Sequence, residues 1–436
     1  MTHANQYEVI IIGAGAAGLM AAIRAAERGR RTLLLEKNRK PGVKILMSGG
    51  TRCNITHDCD AAGIIAAFGS AGQFLHSALA ALSPHDLLDF FHHEGLATKV
   101  EPGGKVFPES DRAVDVLNAL LNRLRGTGAE LALAEPVARV ARLIENAAAR
   151  PAAFEITTNR RTLRCNALLI TTGGKSYSGC GTTGDGYRWL AEFGHSIRRP
   201  RPALVPLISD EPWVHDLAGI TIHDVELSVK APNAAADEPP KSRRSRPALP
   251  PGVLIRRRGS LLFTHFGLSG PAVLDVSRAV TAVRNPGELE LVADFLPNSR
   301  QRDFENQLRQ AATHDGKRLI ATLLADDLPR RLVDALVGRA AIPADRRVAE
   351  FSSAEQSRLV AQLKSCPIRI TGTRGFEKAE VTAGGVALEE VDSRTMRSKL
   401  VPGLYLAGEI LDLDGFIGGY NFQAAFSTAH LAGENI

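Results

Sequence analysis

Residues 7–36 decide the fold, and they read YEVIIIGAGAAGLMAAIRAAERGRRTLLLE. A β-branched, apolar run over residues 7–12 breaks into Gly13, and alanine, isoleucine and leucine then recur at helical spacing over residues 19–28. A second apolar run covers residues 32–35. Strand, tight turn, helix and strand in this order form a βαβ unit, so the stretch predicts an α/β fold built on a parallel sheet.

The glycines of this unit have the spacing Gly-x-Gly-x-x-Gly, and an acid follows eighteen residues after the last of them. In dinucleotide-binding folds the first glycine permits the tight turn, the second lets the backbone approach a pyrophosphate, and the third brings helix against strand. The acid accepts hydrogen bonds from ribose hydroxyls. An incidental glycine turn is the alternative. The predicted dinucleotide contacts are Gly13, Gly15, Ala16, Ala17, Gly18, Glu36 and Lys37.

Two distant segments favour FAD over NAD as the dinucleotide. Residues 44–54, KILMSGGTRCN, form a glycine-rich loop where a long cofactor would still need contacts. Residues 404–409, LYLAGE, end in a glycine and an acid suited to a ribityl hydroxyl, and a helix then opens at residues 418–421, GGYN. Its N-terminus would stabilise negative charge on a reduced flavin. The contacts predicted here are Lys44, Ser48, Gly49, Gly50, Arg52, Cys53, Asn54, Gly408, Glu409, Gly418, Gly419, Tyr420 and Asn421.

Three residues in or beside the 44–54 loop have more than one interpretation. Arg52 either neutralises the cofactor or pairs with a surface acid. Cys53 has no second cysteine in its motif, so a packed, unreactive thiol is favoured over a redox role. His57 follows the loop and could reach the site, but an exposed loop histidine is the favoured interpretation.

Length, cysteine content and hydropathy limit the class of protein. A chain of 436 residues needs two or three packed units. Its five cysteines are an odd number without a CxxC pair, which argues against a disulfide framework and against a metal site. No apolar run reaches the roughly 18 to 20 residues of a membrane span, and residues 1–15 lack the pattern of a secretion signal. We therefore expect a cytoplasmic protein without a membrane partner.

The net charge of +6 at pH 7 raises the question of a nucleic-acid partner. Much of the excess lies in residues 241–246 and 256–258, which flank the proline-rich stretch PALPPG. We interpret this region as a solvated surface loop, with a polyanion site as the alternative. Only two Trp and five Tyr are available for base stacking, so no stable nucleic-acid partner is expected.

Patterning divides the chain into a nucleotide-binding domain in two parts and an insert. Residues 1–195 and 366–436 are predicted to form one Rossmann-like FAD-binding domain. Within it, helical patterns cover residues 75–96 and 111–125, and strand patterns cover 131–144, 154–158 and 168–171. The insert, residues 196–365, is predicted to be β-rich and barrel-like over 196–296 and helical over 297–365.

Five motifs occur in the order seen in a known family: SGGTRCN (48–54), GGKSYSGCGTTGDGY (173–187), LLFTHFGLSGPAVL (261–274), VTAGGV (381–386) and VPGLYLAGEILDLDGFIGGYNFQAA (401–425). Together they resemble bacterial flavoproteins of the YhiN/BaiN-like family, NAD(P)/FAD-dependent oxidoreductases. The resemblance implies FAD, a glutathione-reductase/fumarate-reductase-like nucleotide domain with two dinucleotide-binding parts, and an insert that covers the flavin. It adds cofactor contacts at Val137, Thr172, Gly173 and Asp185. Ser178 stands where the family commonly has proline.

The predicted activity is two-electron redox chemistry at FAD. We expect hydride transfer from NADH or NADPH, bound only transiently because one GxGxxG is present, through the flavin to a small unsaturated carbonyl compound. The alternatives are an amine oxidase that uses oxygen and a nucleic-acid-associated flavoprotein that uses the 241–258 basic region. Thr264, His265 and Tyr420 are the candidate proton donors, although His265 could instead tie a turn and Tyr420 could simply pack on the ring system.

Overall fold

The computed structural model describes residues 5–143, 153–231 and 249–436. Within it the chain forms two compact units, Met1–Pro202 with Ala379–Ile436 and Ala203–Lys378. The first unit is discontinuous, as the patterning indicated. The second boundary lies after residue 378 rather than after residue 365, because residues following Cys366 still pair within the second unit.

The secondary structure follows the patterning in type and order. The strands are β1 Gln6–Ile12, β2 Thr32–Leu35, β3 Thr56–His57, β4 Thr98–Glu101, β5 Lys105–Pro108, β6 Glu130–Ala132, β7 Val137–Leu143, β8 Ala153–Thr158, β9 Thr162–Ile170, β10 Ile197–Ala203, β11 Leu207–Ile208, β12 Thr221–Lys230, β13 Val253–Thr264, β14 Gly267–Ser269, β15 Glu290–Asp294, β16 Cys366–Arg369, β17 Gly372–Thr373, β18 Val381–Val386 and β19 Leu404–Leu406. The helices are α1 Ala16–Glu27, α2 Val43–Met47, α3 Ala61–Ala67, α4 His76–Ala81, α5 Pro84–His93, α6 Ala113–Thr127, α7 Asp185–Glu192, α8 Pro212–Asp216, α9 Pro271–Ala282, α10 Gln301–His314, α11 Ile320–Leu324, α12 Arg330–Arg339, α13 Ser353–Lys364 and α14 Tyr420–Asn435.

The first unit is built on a seven-stranded sheet in the order β6-β2-β1-β9-β8-β7, with β19 paired to β9. Strands β1, β2, β6, β9 and β19 pair in parallel, and β7 and β8 extend the sheet in antiparallel fashion. All four residues of β2 and all three of β19 are buried, as in parallel strands covered on both faces. The carboxyl ends of β1, β2, β9 and β19 therefore meet at one edge, where ligands of open α/β sheets bind.

One predicted helix is divided in two. The pattern over residues 75–96 indicated a single helix, whereas α4 ends at Ala81 and α5 begins at Pro84. Ser83 caps α5 through a hydrogen bond from the backbone N–H of Asp86, and Asp86 caps the backbone of Ser83 in return. Because proline is favoured at the first helical position and interrupts a helix in its interior, this segment begins a new helix.

The second unit contains a seven-stranded sheet in the order β16-β15-β12-β13-β14-β11-β17. The sequence predicted a barrel-like insert, but no pairing joins β16 to β17 in the described part of the chain, so this sheet is open. Helices α10 to α13 follow, and their buried apolar side chains share one hydrophobic core with the sheet. Strand β16 pairs with β15, which explains why the predicted return to the first unit at residue 366 comes too early.

The basic region of the second unit is only partly described. Residues 241–246 lie outside the described residues. On β13, Arg256 pairs with Glu226 at 3.4 Å, Arg257 with Asp275 at 2.9 Å, and Arg258 with Asp224 at 2.5 Å. The charge of this run is therefore compensated by carboxylates. Among the helices within residues 5–143, 153–231 and 249–436, none is long and apolar enough to cross a membrane.

Candidate functional site

The turn between β1 and α1 presents an open helix N-terminus at the ligand-binding edge of the sheet. Gly15 caps α1 with extended backbone angles, no side chain caps the helix, and no acid lies in its first turn. A Cβ atom at Gly15 would meet nothing within 4 Å, whereas one at Gly18 would overlap the carbonyl oxygen of Gly13. The unpaired N–H groups and partial positive charge of α1 thus face open space, which suits an anion such as a pyrophosphate.

Two predicted cofactor-binding acids, Glu36 after β2 and Asp185 at the start of α7, are bound by groups of the protein itself. Glu36 accepts hydrogen bonds from the backbone N–H of Ala14 at 2.8 Å and of Asn38 at 2.9 Å. Asp185, the first residue of α7, pairs with Lys37 at 2.8 Å. Burial raises the pKa of Asp185, but hydrogen bonds from Lys37 and Thr183 outweigh it and leave the pKa below its usual value.

Glu409, just after β19, is the centre of a polar cluster that joins distant segments. Its carboxylate pairs with Lys44 and accepts hydrogen bonds from the Ser176 hydroxyl at 2.8 Å and from the backbone N–H of Thr382 at 2.9 Å. Lys44 also donates to Ser176 at 2.8 Å. The hydroxyl of Thr382 accepts hydrogen bonds from the backbone N–H groups of residues 175 and 176. A ribityl hydroxyl could still donate a hydrogen bond to Glu409, through lone pairs of the carboxylate that its three contacts leave available.

The SGGTRCN loop is held by its own contacts. Ser48 donates to the carbonyl oxygen of Ile45 at 2.9 Å, and Gly49 and Gly50 have φ values of 56° and 68°. A Cβ atom at Gly50 would meet nothing within 4 Å. The side-chain oxygen of Asn54 is buried and has no hydrogen-bond partner among the described residues. This loop therefore contains both a buried acceptor without a partner among the described residues and a glycine that faces open space.

Arg52 makes the ion pairs that the sequence offered as one alternative, and Cys53 is the packed thiol that the sequence favoured. Arg52 pairs with Glu101 at 2.6 Å and with Asp111 at 3.3 Å, and its guanidinium lies 4.1 Å from the ring centroid of Phe107. Cys53 is fully buried, and burial raises its pKa to about 12. The thiol is therefore protonated near neutral pH and unsuited to redox chemistry.

The second glycine turn lies where β19 ends and α14 begins. A Cβ atom at Gly408 would come within 2.9 Å of the Cβ of Ala17 in the first turn of α1, so the two ends of the chain meet here. Gly419 caps α14 with no side-chain cap. The side chain of Asn421 accepts from the N–H of Gly415 at 2.8 Å and donates to its carbonyl at 3.1 Å, so this side chain shapes the preceding loop.

Tyr420 stacks on His57, which was interpreted from the sequence as an exposed loop histidine. The rings of His57 and Tyr420 have centroids 4.5 Å apart and planes 21° apart. The Nδ1 atom of His57 lies 3.0 Å from the carbonyl oxygen of Gly418, and since a carbonyl only accepts, Nδ1 carries the proton. The prediction of an exposed loop histidine is wrong, because His57 is half-buried on β3, which lies against the start of α14.

The contact that fixes β3 against α14 was not foreseen from the sequence. The Thr56 hydroxyl donates to the side-chain oxygen of Gln423 at 2.6 Å, and Gln423 in turn donates to Leu82 and Ser427. All of these side-chain atoms are buried. A separation of 367 residues leaves no local signal for the pair, although Thr56 follows the SGGTRCN loop and Gln423 follows GGYN.

The remaining predicted residues fall in three places. Val137 begins β7, and Thr172 with Gly173 follows β9 at the ligand-binding edge. The Thr172 hydroxyl is buried and has no partner among the described residues. Thr264 and His265 belong to the second unit, at the turn between β13 and β14, where His265 is exposed.

These residues fit a flavin dinucleotide by their chemistry. An uncapped helix N-terminus beside open space suits its pyrophosphate, and the buried, unpartnered oxygens of Asn54 and Thr172 suit its polar groups. A parallel sheet that presents such a turn at the carboxyl ends of its strands defines the class of Rossmann-type dinucleotide-binding proteins.

Comparisons with known proteins place the chain more closely. Residues 7–435 match the family model described as HI0933-like protein Rossmann domain, and the chain belongs to this family of flavin-dependent oxidoreductases. The predicted FAD-binding Rossmann-type fold and the resemblance to YhiN/BaiN-like flavoproteins are thereby confirmed.

Three curated relatives cover almost all of the chain. A ribosomal RNA dihydrouridine synthase of Escherichia coli is 35% identical, with 99% of this chain and 98% of the relative covered. A protein of the same name from Haemophilus influenzae is 32% identical, with 98% of both covered. A 3-dehydro-bile acid delta(4,6)-reductase of Clostridium scindens is 31% identical, with 97% of both covered.

One solved structure of a 3-ketosteroid-delta4-(5alpha)-dehydrogenase from Rhodococcus jostii RHA1 aligns over 100% of this chain and 97% of its own. The TM-score is 0.48 and the identity 13%, a similarity too weak to support a functional statement.

Proposed function

We propose that the protein is an FAD-dependent reductase of carbon–carbon double bonds conjugated to a carbonyl, and that its substrate is uridine in ribosomal RNA. The observation that carries the proposal is end-to-end similarity to two ribosomal RNA dihydrouridine synthases at 35% and 32% identity. Net positive charge is compatible with an RNA substrate. A cytoplasmic location and NADH or NADPH as the electron donor are parts of the same proposal.

The names of the three relatives describe one type of reaction, the reduction of a carbon–carbon double bond conjugated to a carbonyl. In uridine the C5–C6 double bond is conjugated to the C4 carbonyl, and a 3-oxo bile acid with a delta(4,6) system is likewise an unsaturated carbonyl compound. Reduction of either needs a hydride at one carbon and a proton at its neighbour. The balanced reaction is uridine plus NAD(P)H plus a proton, giving dihydrouridine and NAD(P)⁺. A small enone remains the runner-up substrate, because the bile-acid reductase is nearly as similar.

Bound FAD supplies a two-electron carrier that takes hydride from a nicotinamide and passes it on to carbon. The chain supplies binding and orientation. The open N-terminus of α1 would hold the pyrophosphate, and Glu36, fixed by two backbone N–H groups, would accept a ribose hydroxyl. The uncapped start of α14 would supply partial positive charge to stabilise the negative charge that a flavin gains on reduction.

The proton must come from a side chain that reaches the substrate. Tyr420 is the candidate in the first unit, with its ring held by the stacked His57. His265 and Thr264 are the candidates in the second unit, where the Thr264 hydroxyl is committed to the carbonyl oxygen of Gly267 at 2.9 Å. That hydrogen bond makes Thr264 a turn-forming residue first. Tyr420 and His265 are therefore the two residues to separate by mutation.

The test uses the purified protein reconstituted with FAD under anaerobic conditions. Unmodified ribosomal RNA transcript is incubated with NADH or NADPH, digested to nucleosides and analysed for dihydrouridine by mass spectrometry. Free uridine and a 3-oxo-Δ4 steroid acid serve as parallel substrates. We expect dihydrouridine in the RNA at one or a few positions, dependent on both FAD and nicotinamide. Tyr420→Phe and His265→Gln then show which residue supports turnover without loss of bound FAD.

Other outcomes discriminate the alternatives. Consumption of the steroid acid with unchanged RNA would overturn the RNA substrate and support the small enone. Hydrogen peroxide formed from an amine without nicotinamide would support the amine oxidase and overturn the reductase.

A further inference from the structure

The turn between β13 and β14 presents two rings at the end of the second unit's sheet. Thr264 and Gly267 are paired across the turn, which leaves His265 and Phe266 at its tip. The backbone N–H of Ser209 donates to the carbonyl oxygen of Phe266 at 3.2 Å and fixes the turn against the neighbouring strand. His265 is exposed, Phe266 is half-buried, and their rings meet edge to face with centroids 5.1 Å apart.

Arg374 joins this pair from the neighbouring end of β17. Its guanidinium carbon lies 4.5 Å from the centroid of the Phe266 ring. Its backbone N–H donates to the carbonyl oxygen of Pro206 at 3.1 Å, so the base of the side chain is anchored. Across the part of the chain that the structure describes, no carboxylate pairs with Arg374. The cation is thus held against an aromatic ring with its charge uncompensated.

The arginines of β13 in the same unit show the opposite arrangement. Arg256, Arg257 and Arg258 each pair with a carboxylate, at 3.4, 2.9 and 2.5 Å. A phosphate would have to compete with those acids. A phosphate at Arg374 would not have to displace a paired carboxylate of the described residues. A polyanion is therefore attracted more strongly to Arg374 than to the β13 arginines, although basic residues are denser in the sequence of β13.

We propose that His265, Phe266 and Arg374 form a docking surface for single-stranded RNA, in which Arg374 contacts a phosphate and an unpaired base stacks on the exposed ring of His265, which Phe266 supports. Single-stranded nucleic acids are bound by cations that follow the backbone and by aromatic or guanidinium planes that stack on bases. This surface offers stacking rings on the turn between β13 and β14 and a cation at the end of β17. The inference rests on the proposed RNA substrate and adds the place where that RNA is held.

The test measures RNA affinity as a function of salt for the FAD-loaded full chain. Fluorescence anisotropy of a labelled, uridine-containing single-stranded 20-mer gives the dissociation constant at several salt concentrations. Arg374→Ala should weaken binding about tenfold and lower the slope of log affinity against log salt by about 0.7, the value for one lost phosphate contact on a single strand. Arg258→Ala removes the same charge from a paired site, and its slope should equal that of the unaltered protein.

A second variant separates stacking from charge. Phe266→Leu keeps an apolar side chain of similar size and should weaken binding severalfold with a smaller change in slope than Arg374→Ala. Retained FAD absorbance and an unchanged melting temperature show that each variant is folded. An Arg374→Ala protein with unaltered affinity and slope overturns the proposal, and so does an equal loss of slope in Arg258→Ala. Absence of RNA binding by the unaltered protein overturns it as well.

Failure of this surface and failure of the proposed function are distinguishable. If RNA gains dihydrouridine while Arg374→Ala binds RNA normally, the docking surface is wrong and the activity stands. If Arg374 governs RNA affinity but no dihydrouridine forms, the surface stands and the assigned reaction is wrong.

Discussion

Among the glycine turns that begin helices in the first unit, those of α1 and α14 differ in what lies beside them. At the start of α1, Gly15 faces open space, whereas Gly13 and Gly18 are pressed against backbone. At the start of α14, a Cβ atom at Gly419 would overlap the carbonyl oxygen of Thr56, and Gly418 lies against the rings of His57 and Tyr420. Both helices lack a side-chain cap. Two uncapped, glycine-rich helix starts thus differ, because Gly15 is open and the α14 turn is packed against β3.

The difference shows that a glycine-rich turn does not by itself define a ligand site. Gly15 at the α1 turn leaves room for a group outside the polypeptide, whereas Gly418 and Gly419 leave room for β3 and for the ring of Tyr420. Mutations at the two turns should therefore separate loss of cofactor from loss of stability.

The largest effect is expected for Gly18→Ala, which changes the packed side of the first turn. The new methyl group would overlap the carbonyl oxygen of Gly13 and lie 2.9 Å from the Thr171 hydroxyl. Neither group can move without disturbing β1 or β9, so we expect a loss of more than about 3 kcal/mol in unfolding free energy. Urea denaturation of the apoprotein measures it. An unaltered unfolding free energy in this variant would mean that β1 and β9 can move apart at this point and that the expectation is wrong.

The packed α14 turn is tested by Thr56→Val, which removes the hydroxyl that donates to Gln423. The buried amide oxygen of Gln423 then loses its donor, and we expect a loss of about 1 to 3 kcal/mol in unfolding free energy. Thr56→Ser keeps the hydroxyl and is the matched control. Equal stability of the serine and valine variants would show that the 2.6 Å hydrogen bond does not fix β3 on α14.

The open side of the first turn is tested by Gly15→Ala. The backbone at Gly15 is extended and a Cβ atom meets nothing within 4 Å, so the apoprotein should change by less than about 0.5 kcal/mol. The methyl group would stand where the pyrophosphate is expected, and FAD should bind at least tenfold more weakly, about 1.4 kcal/mol. Flavin fluorescence titration measures this. Unaltered FAD affinity would place the cofactor elsewhere.

The smallest effect concerns a site outside both turns. Burial lowers the pKa of His195 below 6.5, and its hydrogen bond to Glu390 only partly offsets this. As pH falls from 7 to 5, the unfolded chain takes up the proton first, so the unfolding free energy should fall by at most about 1.4 kcal/mol per pH unit. His195→Gln should reduce that slope and leave FAD affinity at pH 7 unaltered. His430, whose pKa is also lowered by burial, accounts for a remaining slope.

Local patterns in the sequence predicted the parts of the fold that local chemistry determines. The βαβ unit, the open turn at Gly15 and the buried thiol of Cys53 follow from glycine spacing, apolar runs and the lack of a partner cysteine. The break at Pro84 was missed because the apolar periodicity continues across it, although the Ser83–Pro84 pair is a recognisable helix start. The extent of the insert was misjudged at Cys366 because strand patterns do not say which sheet a strand joins.

The polar contacts of the candidate site could not be predicted in the same way. Lys44 and Glu409 were both assigned to the cofactor, but no spacing relates them, and the fold brings them together as a pair. Arg52 had two interpretations that only the positions of Glu101 and Asp111 could separate. Pairing across long sequence distances depends on tertiary packing, and a single sequence carries no record of it.

The discontinuity of the first unit has a consequence for synthesis. Strand β19 completes the central sheet and helix α14 packs against α1, yet a ribosome translates the whole second unit before it reaches them. At about 5 to 20 residues per second, roughly 10 to 40 seconds pass between the synthesis of residue 202 and that of residue 404, where β19 begins. During that interval the edge of β9 and the face of α1 that later contacts α14 are apolar surfaces without their partners. The nascent chain is thus the form that chaperones would be expected to protect.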